Sequence, residues 1–395
     1  MDWAAQMFGL DPAFYNSSGV GGGCLQTTAS DTALITVVAA RSSYMARHPE
    51  TKFEELIIYV STQTHSLGLK AALVLGLQIR ALEVKAEDNF ALRGSTLRAA
   101  LEEDSKAGKK TFILSERQAR FWNEYIFLTK RILVATVGTT SSGAIDNLPE
   151  IKEVAKDYPD LKIHVDAAWL GISLVCPEFR DKCYLKEINE IADSFCTNFH
   201  KWGLTNFDAS AMWVRDRKYL TEALDITPPF LRTAHGEAGT VIEFRNWHLG
   251  LGRRYRSIKL WFVLRGFGVE GFQAHIRKTI SLNESFVKHV KDSPLFKLVT
   301  PPSFSLSVFR LVPKPQAPDG PLASEQTLNE LNQLFYGRIN ARKDIMLTQT
   351  KLNETFCIRF ATGSRYTEEE HVEKAFNILT QEANLTLEAW KQTSQ

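Results

Sequence analysis

The chain has 395 residues, 44% of them apolar and 23% charged, with a net charge of +2. That length supports two domains around sizeable cores. The near balance of acids and bases gives no reason to expect a nucleic-acid partner. Five scattered cysteines (Cys24, Cys176, Cys183, Cys196 and Cys357) form no Cys-x-x-Cys pair, so no zinc or other metal site is expected. Their odd number suits a reducing compartment rather than a disulfide framework. The opening Met1-Asp2-Trp3 lacks the pattern of a signal peptide, and no apolar run is long enough to span a bilayer. The expectation is a soluble, cytoplasmic protein without a membrane partner.

In chain order, Ala33 to Ala40 has helical apolar periodicity and follows the small polar run Thr27 to Thr32. Leu56 to Val60 reads as a strand, Leu67 to Leu77 as a helix, and Ile79 to Val84 as a strand. A helix over Ser95 to Ala107 precedes a strand over Leu133 to Val137. A helix over Leu148 to Tyr158 leads to strands over Lys162 to Val165 and Ser194 to Thr197. Strands alternating with helices predict an α/β domain with a mainly parallel sheet covered on both faces. Beyond about Arg256 the pattern changes. Helices are expected over Ile280 to Val290, Glu325 to Ile339 and Thr367 to Ala383, with strands over Leu306 to Leu311 and Phe356 to Phe360. The division expected is a large domain over 1–258 and a smaller α+β domain over 259–395.

One stretch interrupts the alternation. Thr111-Phe112-Ile113 begins a strand that Leu133 to Val137 would continue, and the charged, aromatic segment Leu114 to Ile132 lies between them. Insertions belong in surface loops. The segment reads either as a genuine loop or as translated intron sequence.

Four sites carry possible chemistry. Ser194 to Trp202 runs from an apolar strand into a polar turn containing His200 and Lys201. A lysine at the carboxyl end of a strand can form a Schiff base with a carbonyl cofactor, although a lone lysine is more often a surface residue. Asp166 ends the apolar strand Ile163 to Val165 and is followed by the small Ala168. A buried carboxylate needs a positive partner, and a protonated pyridine nitrogen would serve. A metal ligand or a helix cap would explain Asp166 equally well. Ala29 and Ser30 stand where a helix starts, behind Gly21-Gly22-Gly23, and such a start can bind phosphate. Ser and Thr begin most helices, so this pattern is weak. His65 follows the strand ending at Val60; it could stack on a ring, or be a solvated loop histidine.

Together these segments resemble the group II pyridoxal-phosphate decarboxylases, with the closest likeness to aromatic L-amino-acid decarboxylases. The likeness is carried by Gly22-Gly23 with Ala29-Ser30, by the His65 segment and by Ala135 to Thr140. It continues through His164 to Ala168, Cys176 to Arg180, Asn198 to Trp202, Asn206 to Val214 and Leu251 to Arg256. The resemblance implies a type I aminotransferase-like fold, pyridoxal 5′-phosphate as cofactor, an aromatic amino-acid substrate and a homodimer. It implies Lys201 as the Schiff-base lysine, Asp166 as the pyridinium partner, and His65 and Ala168 on the two ring faces. Ala29, Ser30, Asn198 and His200 would cradle the phosphate, and Thr140 would line the ring.

Departures from the family pattern carry their own implications. Phe199 stands where a proline is common. The family carries a helical segment ahead of the Met1 position that interlocks the dimer. Without it, a non-catalytic cofactor-binding or dimer-modulating protein is an alternative. Phe230, in the loop Thr227 to Arg232, stands where decarboxylases carry a tyrosine that is the proposed proton donor. Phenylalanine has no hydroxyl, which points toward an oxidative, aldehyde-forming outcome; aldehyde formation as the sole activity is a further alternative. Gly252 is expected to select substrate by leaving room for a larger ring.

Overall fold

The structure is a computed structural model that describes residues 1–49, 52, 56–106, 131–238, 241–313 and 324–393. Most of the segment from Leu114 to Ile132 lies outside the described residues; Arg131 and Ile132 belong to a strand. The chain forms two compact units. The first comprises Met1–Val84, Ala91–Val137 and Ile145–Val269; the second comprises Lys85–Phe90, Gly138–Ala144 and Glu270–Gln395.

The first unit is built on a seven-stranded sheet. Its strands are β1 (Gly22–Gln26), β2 (Ile57–Ser61), β3 (Gln78–Leu82), β4 (Arg131–Thr136), β5 (Lys162–Asp166), β6 (Ser194–Asn198) and β7 (Ser210–Val214). Their order is β1-β7-β6-β5-β4-β2-β3, and every pairing from β3 to β6 is parallel. The mainly parallel sheet is as expected, with one reversal. β7 runs antiparallel to both β6 and β1. Sequence reading misses β1 because its two glycines hide the apolar signal of a strand. All residues of β1, β2, β6 and β7 are buried, as covered sheets require. In edge strand β3 only Leu82 is buried.

The helices of this unit explain that burial. Helix α1 (Asp2–Phe8) buries Ala4, Ala5 and Phe8. Helix α2 (Ala29–Arg47) starts with a capping box, in which Thr28 and Asp31 satisfy each other's backbone amides. Such a box stabilises the helix by about 1 kcal/mol. Ala33, Val37 and Ala40 of α2 pack with Ile58, Val134 and Cys196, while Ile35 and Ala39 pack with Met212 and Val214. Helix α3 (Leu67–Leu75) follows β2 and α4 (Gly94–Lys106) follows β3. Helix α5 (Leu148–Asp157) buries Leu148, Ile151 and Val154, a helical stripe, and its N-cap Asn147 accepts the Glu150 amide. The shorter helices α6 (Leu185–Ile191), α7 (Lys218–Leu224) and α8 (Ala234–Glu237) complete the unit.

Helix α9 (Ser257–Asp292) is far longer than the expected Ile280 to Val290 and breaks at Gly268, where φ is 60°. Its later part belongs to the second unit, with α10 (Glu325–Ala341) and α11 (Glu369–Thr393). They accompany an antiparallel sheet of β8 (Phe296–Leu298), β9 (Leu306–Leu311), β10 (Thr348–Leu352) and β11 (Thr355–Ala361), in the order β10-β11-β9-β8. Phenylalanines dominate its core. Phe286 stacks on Phe360 with centroids 3.7 Å apart and meets Phe309 edge-on at 5.4 Å. Burying each such ring contributes about 1.5–3 kcal/mol.

Candidate active site

The parallel strands of the first unit end on one edge, and the chemical residues gather there. β5 ends in Asp166, which is 3% exposed. Asp166 Oδ1 accepts the Ala168 amide at 3.0 Å and the Cys196 thiol at 3.7 Å. Among the described residues, no hydrogen bond reaches Oδ2. The Asn198 amide donates to the Ala168 carbonyl at 2.9 Å, and the Lys201 amide donates to the Asn198 carbonyl at 3.0 Å. The backbone thus ties the Asp166 turn to the Lys201 turn. Lys201 is exposed and free to receive a ligand.

His65 stands beyond β2, in the turn before α3. Partial burial lowers its pKa first, and the Lys201 ammonium lowers it further; Asp166 opposes both. Lys201 and Asp166 are therefore both within electrostatic reach of His65, whose imidazole is neutral at neutral pH. His200 is lowered for the same two leading reasons. Its Nδ1 accepts the Ala209 amide at 2.9 Å, so the neutral ring carries its proton on Nε2. Asp208, just before Ala209, is held by Arg256 and Lys259.

Ala29 and Ser30 form the first turn of α2. Ala29 packs in the same cluster as Ala168 and Cys196. The expected residues Lys201, Asp166, Ala168, His65, Ala29, Asn198 and His200 thus converge on one sheet edge, with Ser30 beside Ala29. Thr140 is exposed and belongs to the second unit. Phe230 is 81% exposed on a short 3-10 turn, Pro229–Leu231. Gly252 is exposed, and a Cβ added there would meet open space. Sequence reading gave no role to His164, Cys196, Asp208 or Arg256. The period-two alternation of β5 and β6 would have put His164 beside Asp166 and Cys196, had the strand pairing been known.

Buried polar atoms without partners collect at the same edge. They include Thr62 Oγ1 and Gln63 Oε1 after β2, Asn198 Oδ1 on β6 and Ser210 Oγ on β7, whereas Thr197 Oγ1 points to the other face of the sheet, toward Gly171. Asn198 and Ser210 face each other across the β6–β7 pair. Unpaired buried groups are costly, about 1–3 kcal/mol each, so a cluster of them fits a bound polar group.

Residues 1–116 and 126–312 match the pyridoxal-dependent decarboxylase conserved domain. The chain belongs to the pyridoxal-dependent decarboxylase family. It is 38% identical to tryptophan decarboxylase 2 of Oryza sativa subsp. japonica, over 98% of this chain and 72% of that protein. It is 36% identical to phenylacetaldehyde synthase of Arabidopsis thaliana, over 98% of this chain and 73% of that one. The crystal structure of Oryza sativa TDC with PLP and tryptamine superposes with a TM-score of 0.86 at 32% identity, covering 97% of this chain and 74% of that one. The fold is the α/β type I pyridoxal-phosphate fold, and the protein is a pyridoxal-phosphate-dependent carboxy-lyase. A free amine, a buried carboxylate with one open oxygen and unpaired polar atoms at the same sheet edge suit that cofactor's aldehyde, ring nitrogen and phosphate. Among the described residues, no helix is long and apolar enough to cross a membrane.

Proposed function

We propose that the chain decarboxylates aromatic L-amino acids, with pyridoxal 5′-phosphate held by Lys201. The observation that carries this reading is the convergence of Lys201, Asp166 and His65 at the carboxyl ends of β6, β5 and β2. When bound, the cofactor supplies an electron sink for the pair left on the substrate's α carbon as carbon dioxide departs.

The chain's own residues divide the remaining work. Lys201 Nζ would hold the cofactor through its aldehyde. Asp166 Oδ2 would accept a hydrogen bond from the ring nitrogen and favour its protonated form. Ala168 is small enough to lie against one ring face, and the imidazole of His65 would cover the other. The start of α2, with the backbone amides of Ala29 and Ser30, gives partial positive charge to the phosphate. His200 Nε2–H and the Asn198 carboxamide add donors.

Phe230 supports a second outcome at the same site. Without a loop hydroxyl, protonation of the α carbon slows and dioxygen can intervene. The overall balance is amino acid, dioxygen and water giving aldehyde, carbon dioxide, ammonia and hydrogen peroxide. The likeness to phenylacetaldehyde synthase supports this reading. We read the assembly as a homodimer. Trp261 and Phe262 stand exposed beside a cavity of about 730 Å³ lined by Leu25, Phe244 and Trp261, which favours a covering partner.

The test is a product analysis with tryptophan, tyrosine, phenylalanine and DOPA, assaying carbon dioxide, amine and peroxide together. Carbon dioxide release that Lys201→Ala abolishes, along with the visible absorption of the bound cofactor, is expected. Absence of release from every aromatic substrate overturns the reading.

A further inference from the structure

Asp166, read above as the partner of the cofactor's ring nitrogen, has a buried support behind it. β5 and β6 pair in parallel with His164 opposite Ser194 and Asp166 opposite Cys196. Because strand side chains alternate, all four lie on one face of the sheet. They are 0–3% exposed. His164 Nδ1 lies 2.8 Å from Ser194 Oγ, and His164 Nε2 lies 3.7 Å from Cys196 Sγ. Cys196 Sγ lies 3.7 Å from Asp166 Oδ1.

Counting protons gives this row a direction. A thiol has one proton. If it pointed at His164, Asp166 Oδ1 would face sulfur lone pairs in a dry interior. The thiol proton therefore goes to Asp166. The sulfur is left to accept, so His164 carries its proton on Nε2. Its bare Nδ1 then accepts the Ser194 hydroxyl. The charge states agree. Burial, then the Asp166 charge, raise the Cys196 thiol far above its ordinary range. Burial pushes His164 down to about 4, so its ring is neutral.

We propose that Cys196 is a positioning residue: Ser194, His164 and Cys196 form a one-way hydrogen-bond chain that ends on Asp166 Oδ1 and turns Oδ2 toward the cofactor's ring nitrogen. This rests on the reading of Asp166 given above. The thiol and the Ala168 amide together pin Oδ1 from two sides, which fixes the carboxylate plane. Outer partners of this kind commonly change ligand affinity by about 10- to 100-fold.

The experiment compares Cys196→Ala and Cys196→Ser, each alone and combined with Asp166→Asn. Two readouts are taken: the cofactor dissociation constant of the apoprotein, and the ¹⁵N chemical shift of ring-labelled pyridoxal phosphate bound to the protein. Cys196→Ala is expected to weaken cofactor binding about tenfold and move the ring-nitrogen signal toward its unprotonated position. Cys196→Ser keeps a donor and is expected to stay within about threefold of wild type, with the signal unmoved. On the Asp166→Asn background, Cys196→Ala should add nothing. Equal impairment by Ala and Ser, no effect of Ala, or full additivity with Asp166→Asn each overturns the relay. If Cys196→Ala does not fold, Ser194→Ala replaces it at the far end, with a smaller shift in the same direction expected and an unmoved ring-nitrogen signal overturning the relay. If Asp166→Asn alone changes neither readout, the assignment of Asp166 fails and the relay falls with it. If Asp166→Asn changes both and Cys196→Ala neither, the relay alone is lost.

Discussion

Arg256 Nη2 meets Asp208 Oδ2 at 2.8 Å, and the two side chains are only 12% and 11% exposed. The next amide, Ala209 N–H, is the one that donates to His200 Nδ1. An ion pair thus anchors the segment that orients the histidine beside Lys201. Arg256→Gln should cost about 3 kcal/mol of stability, as expected when one member of a largely covered pair is removed. It should also weaken cofactor binding severalfold through His200. Urea denaturation and cofactor titration check the two effects. Intact stability would show that the pair is merely superficial.

The same pair sets a pH dependence. The hydrogen bond from Arg256 holds the Asp208 carboxyl down at about 2, below the ordinary carboxylate range. The stabilisation is therefore complete above about pH 4 and is lost as pH falls toward 2. The stability gap between wild type and Asp208→Asn should stay constant from neutral pH to about 5 and close below 4. Chemical denaturation across that range measures it, and a gap that persisted in acid would contradict the assignment.

Phe230→Tyr restores a hydroxyl to an exposed turn, so folding should change by no more than about 0.5 kcal/mol. Products should shift from aldehyde and peroxide toward amine. Peroxide per carbon dioxide is the quantity to follow. A wild type that already yields amine without peroxide would dispose of the aldehyde reading.

Gly252→Ser meets open space, so it tests selectivity without a packing penalty. Tryptophan's specificity constant should fall relative to tyrosine's by about tenfold, the low end of what pocket shape supplies. An unchanged ratio across a substrate panel removes Gly252 as the selector.

We propose that the sequence over 114–130 is translated intron sequence; Arg131 and Ile132, at the end of the stretch expected as an insertion, belong instead to core strand β4. The family match passes over 117–125, within it. Peptide mass spectrometry of the native protein decides the matter, because recovery of a peptide from this stretch establishes it as a genuine loop.

Most of the large unit is legible because its strands and helices alternate with clear periods, and the candidate residues Asp166 and Lys201 follow apolar strands that announce themselves. What escaped was non-local. β1 carries Gly22 and Gly23 and takes its identity as a strand from its partner β7. Helix α9 is expected only over Ile280 to Val290, yet it runs from Ser257 to Asp292 across a break at Gly268. Cys196 looked like one more apolar strand residue. Its bearing on Asp166 depends on the β5–β6 register, which no local pattern encodes.

The reversed strand β7 also orders events during synthesis. Among the described residues, β1 pairs with β7 alone, in a register that sets Gly22 against Val214. A nascent chain that has made β2 to β6 still lacks the strand that receives β1, so its first strand waits with unpaired amides. Helix α2 follows directly from β1, and its Ile35 and Ala39 face has no Met212 or Val214 to pack on until Ser210–Val214 emerges. In the reading proposed above the start of α2 faces the cofactor's phosphate, so that side of the site is completed only when the last strand of the sheet arrives.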